Sequence, residues 1–166
     1  MSLFSSSRVP SSPRFELPMV YTAAVTRSVP STITRPQLWE GLRLKARNPI
    51  GFVPINECEI LSEDENGLLR KIVLNGQTIH EEVKFTEPYW MLFTMRESGN
   101  EVVNLISAGE NGQTFLTFTF KWKSFPGVEP GSAEEKKQAD GMLEMGGTAV
   151  EKTIAKVAEL VKEGKL

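Results

Sequence analysis

The chain of 166 residues contains one cysteine and one histidine, and that scarcity closes most routes to chemistry. Cys58 by itself makes neither an internal disulfide nor a cysteine cage for a metal. His80 by itself cannot build a multi-histidine metal site, and any Ser-His-Asp triad would have to run through it. No run approaches the roughly 18 consecutive apolar residues of a membrane helix. Charge of one sign is missing too: the net value is −2 and the pI about 5.6, without the basic footprint of a nucleic-acid binder. The expectation is therefore a protein with no metal, no cofactor, no nucleic-acid partner and no membrane span. Chemistry, if present, must come from carboxylates, Lys and Arg, Tyr, amides, or the shape of a pocket.

What is present divides in two. Residues 1–18 hold Ser5, Ser6, Ser7, Ser11 and Ser12, prolines 10, 13 and 18, Arg8 and Arg14, and Glu16 as the one acid. A targeting segment has such a Ser- and Arg-rich, acid-poor composition, but so has a short proline-broken tail. A flexible tail on a cytoplasmic protein is the expectation; the lack of an apolar core in this stretch argues against a secretory signal. Residues 19–166 are long enough for one domain with its own core.

Within that domain, Met19–Val29 is rich in β-branched residues and reads as a first strand. Thr34 and Gln37 form a capping-box pair ahead of a helix through Leu38, Leu42 and Ala46, which should end at Asn48 because Pro49 follows. Six strand-like runs come next: Asn56–Glu63, Leu68–Leu74, Thr78–Thr86, Tyr89–Arg96, Glu101–Ala108 and Gln113–Lys123. Short breaks separate them, and Asn75-Gly76 is a strong two-residue hairpin signal. Evenly spaced breaks favour an antiparallel meander. In the last run Leu116, Phe118, Phe120 and Trp122 alternate with Thr117, Thr119 and Lys121, leaving one face almost wholly apolar. After a Pro/Gly break, Ser132–Lys162 reads as one long helix, with Ser132 and Glu135 as a second capping box and an apolar stripe near a 3.6-residue period. Gly146-Gly147 inside it implies a kink or a close approach. The fold class is α+β: a seven-stranded curved antiparallel sheet wrapped around a long C-terminal helix, with a short helix after the first strand.

This order is similar to the helix-grip fold of the START and birch-pollen-allergen superfamily. The local residues resemble the AtaL-like family of small fungal proteins over about residues 19–166. The matching segments are Trp39–Pro49, Cys58–Leu61, Leu68–Leu74, His80–Pro88, Val103–Gly112, Leu116–Trp122, Pro126–Ser132 and Val161–Leu166. The resemblance implies a fungal origin and, for some members, placement among genes of secondary metabolism. It carries over no catalytic residue.

Candidate site residues follow from strand parity. If Asn75-Gly76 is a two-residue turn, paired positions sum to a constant and Arg70 faces Glu81 on the apolar side. The pair is either a polar spot in an apolar cavity, moving a proton or orienting a carbonyl, or a structural ion pair. Asn104 shares the parity of Val102 and Ile106, against Val103, Leu105 and Ser107 on the other face, and is either a donor to a ligand carbonyl or a satisfied strand amide. Trp39, Tyr89, Met91, Phe93, Phe118, Phe120, Trp122, Met142 and Met145 supply an aromatic and pliable apolar lining, or plain core packing. His80 falls outward with Glu82 and Lys84, and Cys58 reads as a small buried residue. The expected partner is a hydrophobic small molecule. Two functions compete: a cofactor-free cyclase or isomerase acting on a polyketide-like intermediate, including a Diels–Alder-type closure, and a carrier that binds such a molecule without turnover.

Overall fold

The computed structural model describes residues 19–166; the serine-rich start lies outside the described residues. Its strands are β1 (Tyr21–Val29), β2 (Cys58–Asp64), β3 (Gly67–Leu74), β4 (Gln77–Thr86), β5 (Trp90–Met95), β6 (Glu101–Ala108) and β7 (Thr114–Trp122). They form one antiparallel sheet in the order β1-β7-β6-β5-β4-β3-β2. The meander is thus local from β2 to β7, and β1 closes against β7 with Tyr21 opposite Trp122. A helix, α1 (Arg35–Arg47), follows β1, and the chain ends in α2 (Ala133–Asp140) and α3 (Met142–Lys162). The expected fold class is the one observed.

Local chemistry sets the element ends. Thr34 caps α1 as read from the sequence: its hydroxyl accepts from the Gln37 amide, and the Gln37 side chain accepts from the Thr34 amide at 2.9 Å. Asn48 closes the helix by donating its N–H to the Leu44 carbonyl. Asn75 and Gly76 both adopt positive φ (50° and 73°), the backbone of a tight hairpin whose twist matches its strands. That turn pins Leu74 opposite Gln77 and therefore Arg70 opposite Glu81.

The last helix departs from expectation. It is two helices that meet at Gly141, not one continuous run. None of the residues of α2 is buried, so packing does not hold it in line with α3, and glycine at the junction removes helix propensity. The second capping box is also only half made. Ser132 accepts from the Glu135 amide, whereas the Glu135 carboxylate turns to the Gly131 amide at 2.7 Å.

α3 packs chiefly against β1 and β7 and against α1, while α1 reaches β3 and β6. Leu116, Phe118, Met91, Val83 and Ile72 of the sheet are almost wholly buried, as are Val150 and Val157 of α3. Gly146 and Gly147 do not kink α3; they let it touch the sheet. A Cβ on Gly146 would lie 2.8 Å from the Phe120 ring and 3.1 Å from Val25, while one on Gly147 would crowd the Arg27 guanidinium at 2.7 Å and touch Val25 at an ordinary 3.8 Å. Gly41 does the same for α1, whose backbone meets Val157.

These contacts predict opposite outcomes for neighbouring glycines. Gly146→Ala should destabilise the fold by about 1–3 kcal/mol, because a ring and a strand residue must move. Gly147→Ala should be neutral or stabilising by up to about 1 kcal/mol, since an exposed arginine swings away and helix propensity improves. Urea denaturation of the two variants beside the parent decides it.

Candidate functional site

A cavity of about 470 Å³ lies between the concave face of the sheet, the start of α3 and the end of α1. Its sheet wall is Ile72, Leu74, Phe93, Met95, Val102, Phe118, Phe120 and Trp122. The segment Val53–Ile55 covers one side. Gly141, Met145, Thr148, Ala149 and Lys152 of the terminal helix region form the other, and the exposure of Met145, Thr148 and Lys152 marks the mouth.

Three buried charged side chains break the apolar lining, Lys45, Arg70 and Glu81, each no more than 5% exposed, while Glu144 and Lys152 stand exposed at the mouth. Arg70 organises them. Its Nε donates to Glu81 Oε2 at 2.8 Å and Nη2 donates to the same oxygen. Its Nη1 donates to the carbonyls of Lys45 (3.1 Å) and Ala46 (2.6 Å). These carbonyls belong to the last turn of α1, where the helix dipole favours a cation. Both contacts to Glu81 fall on Oε2, so Oε1 has no hydrogen-bond partner among the described residues.

Lys45 is the residue that the sequence reading missed. Its Nζ donates to Asn104 Oδ1 at 2.6 Å and sits over the Phe118 ring, 4.1 Å from the centroid, with Phe93 at 5.2 Å. It forms no ion pair among the described residues, because Arg70 engages the buried carboxylate. Burial pushes its amine down from 10.5 to about 7; the Arg70 charge adds to that, and Glu81 opposes it. A signal was available: Lys45 lies three residues after Leu42 and seven after Leu38, on the helix stripe that packs inward.

The other candidate residues divide by position. Phe93, Phe118, Phe120, Trp122 and Met145 line the cavity with Arg70 and Glu81. Asn104 stands behind the lining as the partner of Lys45, fully buried. Met91 and Met142 belong to the packed core and do not line the cavity. Trp39 and Tyr89 do not line it either: they lie on a separate cleft beyond the opposite end of β7, lined also by Thr34, Glu40, Pro88 and Glu110. That cleft is larger, about 1000 Å³, but no buried charged side chain lines it, and the smaller apolar cavity is the candidate site. Two side-chain donors at the candidate site are buried without an acceptor among the described residues: Trp122 Nε1 and Asn104 Nδ2. Away from it, His80 is half-exposed on β4 and pairs with Glu97 at 2.7 Å. Cys58 is partly buried and its thiol, pushed up by burial, faces the Arg47 carbonyl at 3.6 Å. Among the described residues no cluster of three His, Cys, Asp or Glu side chains offers a metal site, and no helix is long and apolar enough to cross a membrane.

A curved seven-stranded sheet closed over a C-terminal helix, with a cavity between them, defines a helix-grip protein. Among solved structures, the aromatase/cyclase Zhui from Streptomyces sp. R1128 shares this fold. Its TM-score is 0.66 at 13% identity, over 86% of this chain and 96% of that one. The family model described as AtaL, acetylaranotin biosynthesis cluster protein L, matches residues 19–164, and the chain belongs to that family. No curated protein sequence matches it.

The burial of Lys45 has a consequence for stability. Between pH of about 7 and 10 the unfolded chain holds a proton that the folded chain has released, so stability rises with pH through that window. Below it both states are protonated and the cost of burying the charge is felt in full. Lys45→Met should therefore be more stable than the parent at pH 6, by an amount on the order of a few kcal/mol, with the difference shrinking towards pH 10. Urea midpoints of both proteins across that range test it.

Proposed function

We propose that this chain binds a hydrophobic, polyketide-like intermediate between its sheet and α3 and cyclises or isomerises it without a cofactor. One observation carries the reading: an apolar cavity of about 470 Å³ with a buried charged cluster set into its wall. The size suits a small-molecule ligand, and a few polar groups in an apolar surround are what orients one. Membership of a family described by a biosynthetic cluster supports secondary metabolism as the setting, and a fold shared with an aromatase/cyclase supports ring closure as the reaction class.

The walls do the first part of the work. A flexible chain held folded between Phe118, Phe120, Trp122 and Met145 has already lost the entropy that ring closure costs. A pericyclic closure, such as a Diels–Alder reaction, needs little more than that orientation. An aldol-type closure or a dehydration also needs a proton moved, and Glu81 Oε1 is the free carboxylate oxygen for it. Arg70 holds Glu81 in place; with its donors directed to Glu81 and to α1, it is a positioning residue.

Native mass spectrometry of the protein purified from its own host, then identification of what it releases on denaturation, supplies the molecule for a turnover assay. Product in molar excess over protein supports the enzyme; stoichiometric capture without product makes it a carrier. Ala149→Phe, which fills the cavity from α3, should abolish both uptake and turnover. Glu81→Gln keeps an acceptor for Arg70 but cannot take a proton. It should cost about 10²–10⁴ in turnover with ligand uptake retained if acid–base chemistry is used, and little if shape alone suffices.

A further inference from the structure

Lys45 has no assigned task in the chemistry above, yet it is the amine most unlike an ordinary lysine in this chain. Lys45 lines the cavity and is 5% exposed, and its Nζ donates to Asn104 Oδ1 at 2.6 Å. The buried carboxylate that would neutralise it is committed to Arg70. Asn104, which holds it, keeps its own Nδ2 without an acceptor.

We propose that Lys45 is a covalent anchor whose Nζ condenses with a ketone or aldehyde carbonyl of the ligand to form an imine. This rests on the cavity reading above and adds the substrate class, a carbonyl compound. The Nζ lone pair forms the N–C bond while the carbonyl π pair moves to oxygen. A proton passes from nitrogen to that oxygen, giving a carbinolamine. A second proton, from solvent at the open mouth, allows the C–O bond to break and water to leave, and the nitrogen lone pair completes C=N as a protonated iminium. No oxidant or reductant is involved.

The surroundings suit each stage. A lysine desolvated in an apolar pocket near another cation holds a nucleophilic neutral fraction at pH 7, and Lys45 has both the burial and the Arg70 charge that lower its pKa to about 7. The iminium keeps one N–H, which can retain the bond to Asn104 Oδ1. Its positive charge stays over the Phe118 face, 4.1 Å away. An iminium also acidifies the neighbouring carbon; loss of a proton there gives an enamine, the nucleophile an aldol-type closure uses, and Glu81 Oε1 is the carboxylate oxygen left free to accept it.

The test uses 1-phenylbutane-1,3-dione, an apolar 1,3-dicarbonyl whose imine settles into a conjugated enaminone with a new near-ultraviolet band. The full-length protein is incubated with it at pH 7, then measured by native and by denaturing mass spectrometry, with and without sodium borohydride. The expected result is a band, and a denatured mass raised by the diketone less one water, mapped to Lys45. Lys45→Met and Lys45→Arg should lose that adduct by roughly a hundredfold or more, as ordinary lysines are almost wholly protonated at this pH. Lys45→Met should still hold the intact diketone in the native spectrum, which shows that it folds. Diketone held natively but released intact on denaturation, even after borohydride, overturns the imine and leaves the cavity reading standing. Adducts spread over surface lysines and undiminished in Lys45→Met overturn it too. No uptake by the parent protein sinks the cavity reading and the imine together.

Discussion

Arg70 is buried on the inner face of β3 and reaches two other elements at once: the carboxylate of Glu81 on β4 and the last carbonyls of α1. A guanidinium taken out of water is tolerable only when its donors are met, and here the partners come from parts of the chain that would otherwise be independent. The hairpin supplies Glu81 through its register. The helix supplies carbonyls at its negative end, groups that a helix terminus must satisfy somehow. Because α1 is fixed through its carbonyl end, so is Lys45, and the polar wall of the cavity follows from one arginine.

The cavity itself is a consequence of where α3 can and cannot approach the sheet. At Gly146 the helix backbone comes into contact with Phe120 and Val25, and at Gly41 α1 closes on Val157. Such glycines permit contact that any side chain would prevent. The α2–α3 junction falls at Gly141, on the cavity lining, and α2 beyond it contributes no buried residue. One part of the helix is thus packed against the sheet, while the residues at and after its start border a void. Methionine and aromatic side chains line that void, surfaces that adapt to a ligand's shape without demanding one in particular.

Buried polar groups in this protein are unevenly served. Arg70 is well satisfied, whereas Asn104 Nδ2 and Trp122 Nε1 have no acceptor among the described residues. Natural cores leave few such groups, and those left tend to have a use. Both stand at or just behind the cavity wall, while two further donors of this kind, Trp39 Nε1 and Arg43 Nε, lie outside the cavity lining.

Much of the fold was legible in the chain because its determinants are local. Alternation in Leu116–Trp122 gave the inward face, Thr34 and Gln37 gave the start of α1, and Asn75-Gly76 set a register that brought Arg70 opposite Glu81. Each of these depends on backbone geometry within a few residues. What the chain alone could not decide was which inward residues meet a cavity and which meet packed atoms. Met91 and Phe93 have the same parity on one strand, yet Phe93 faces the cavity and Met91 does not, because sheet curvature and the path of α3 place the void. Lys45 was hidden for the same reason: a lysine on a helix is ordinarily solvated, and only the closing of α1 over β6 and β7 removes its water. Local sequence determined the elements, their order and their pairing; tertiary packing decided where the space was left and which charge was enclosed beside it.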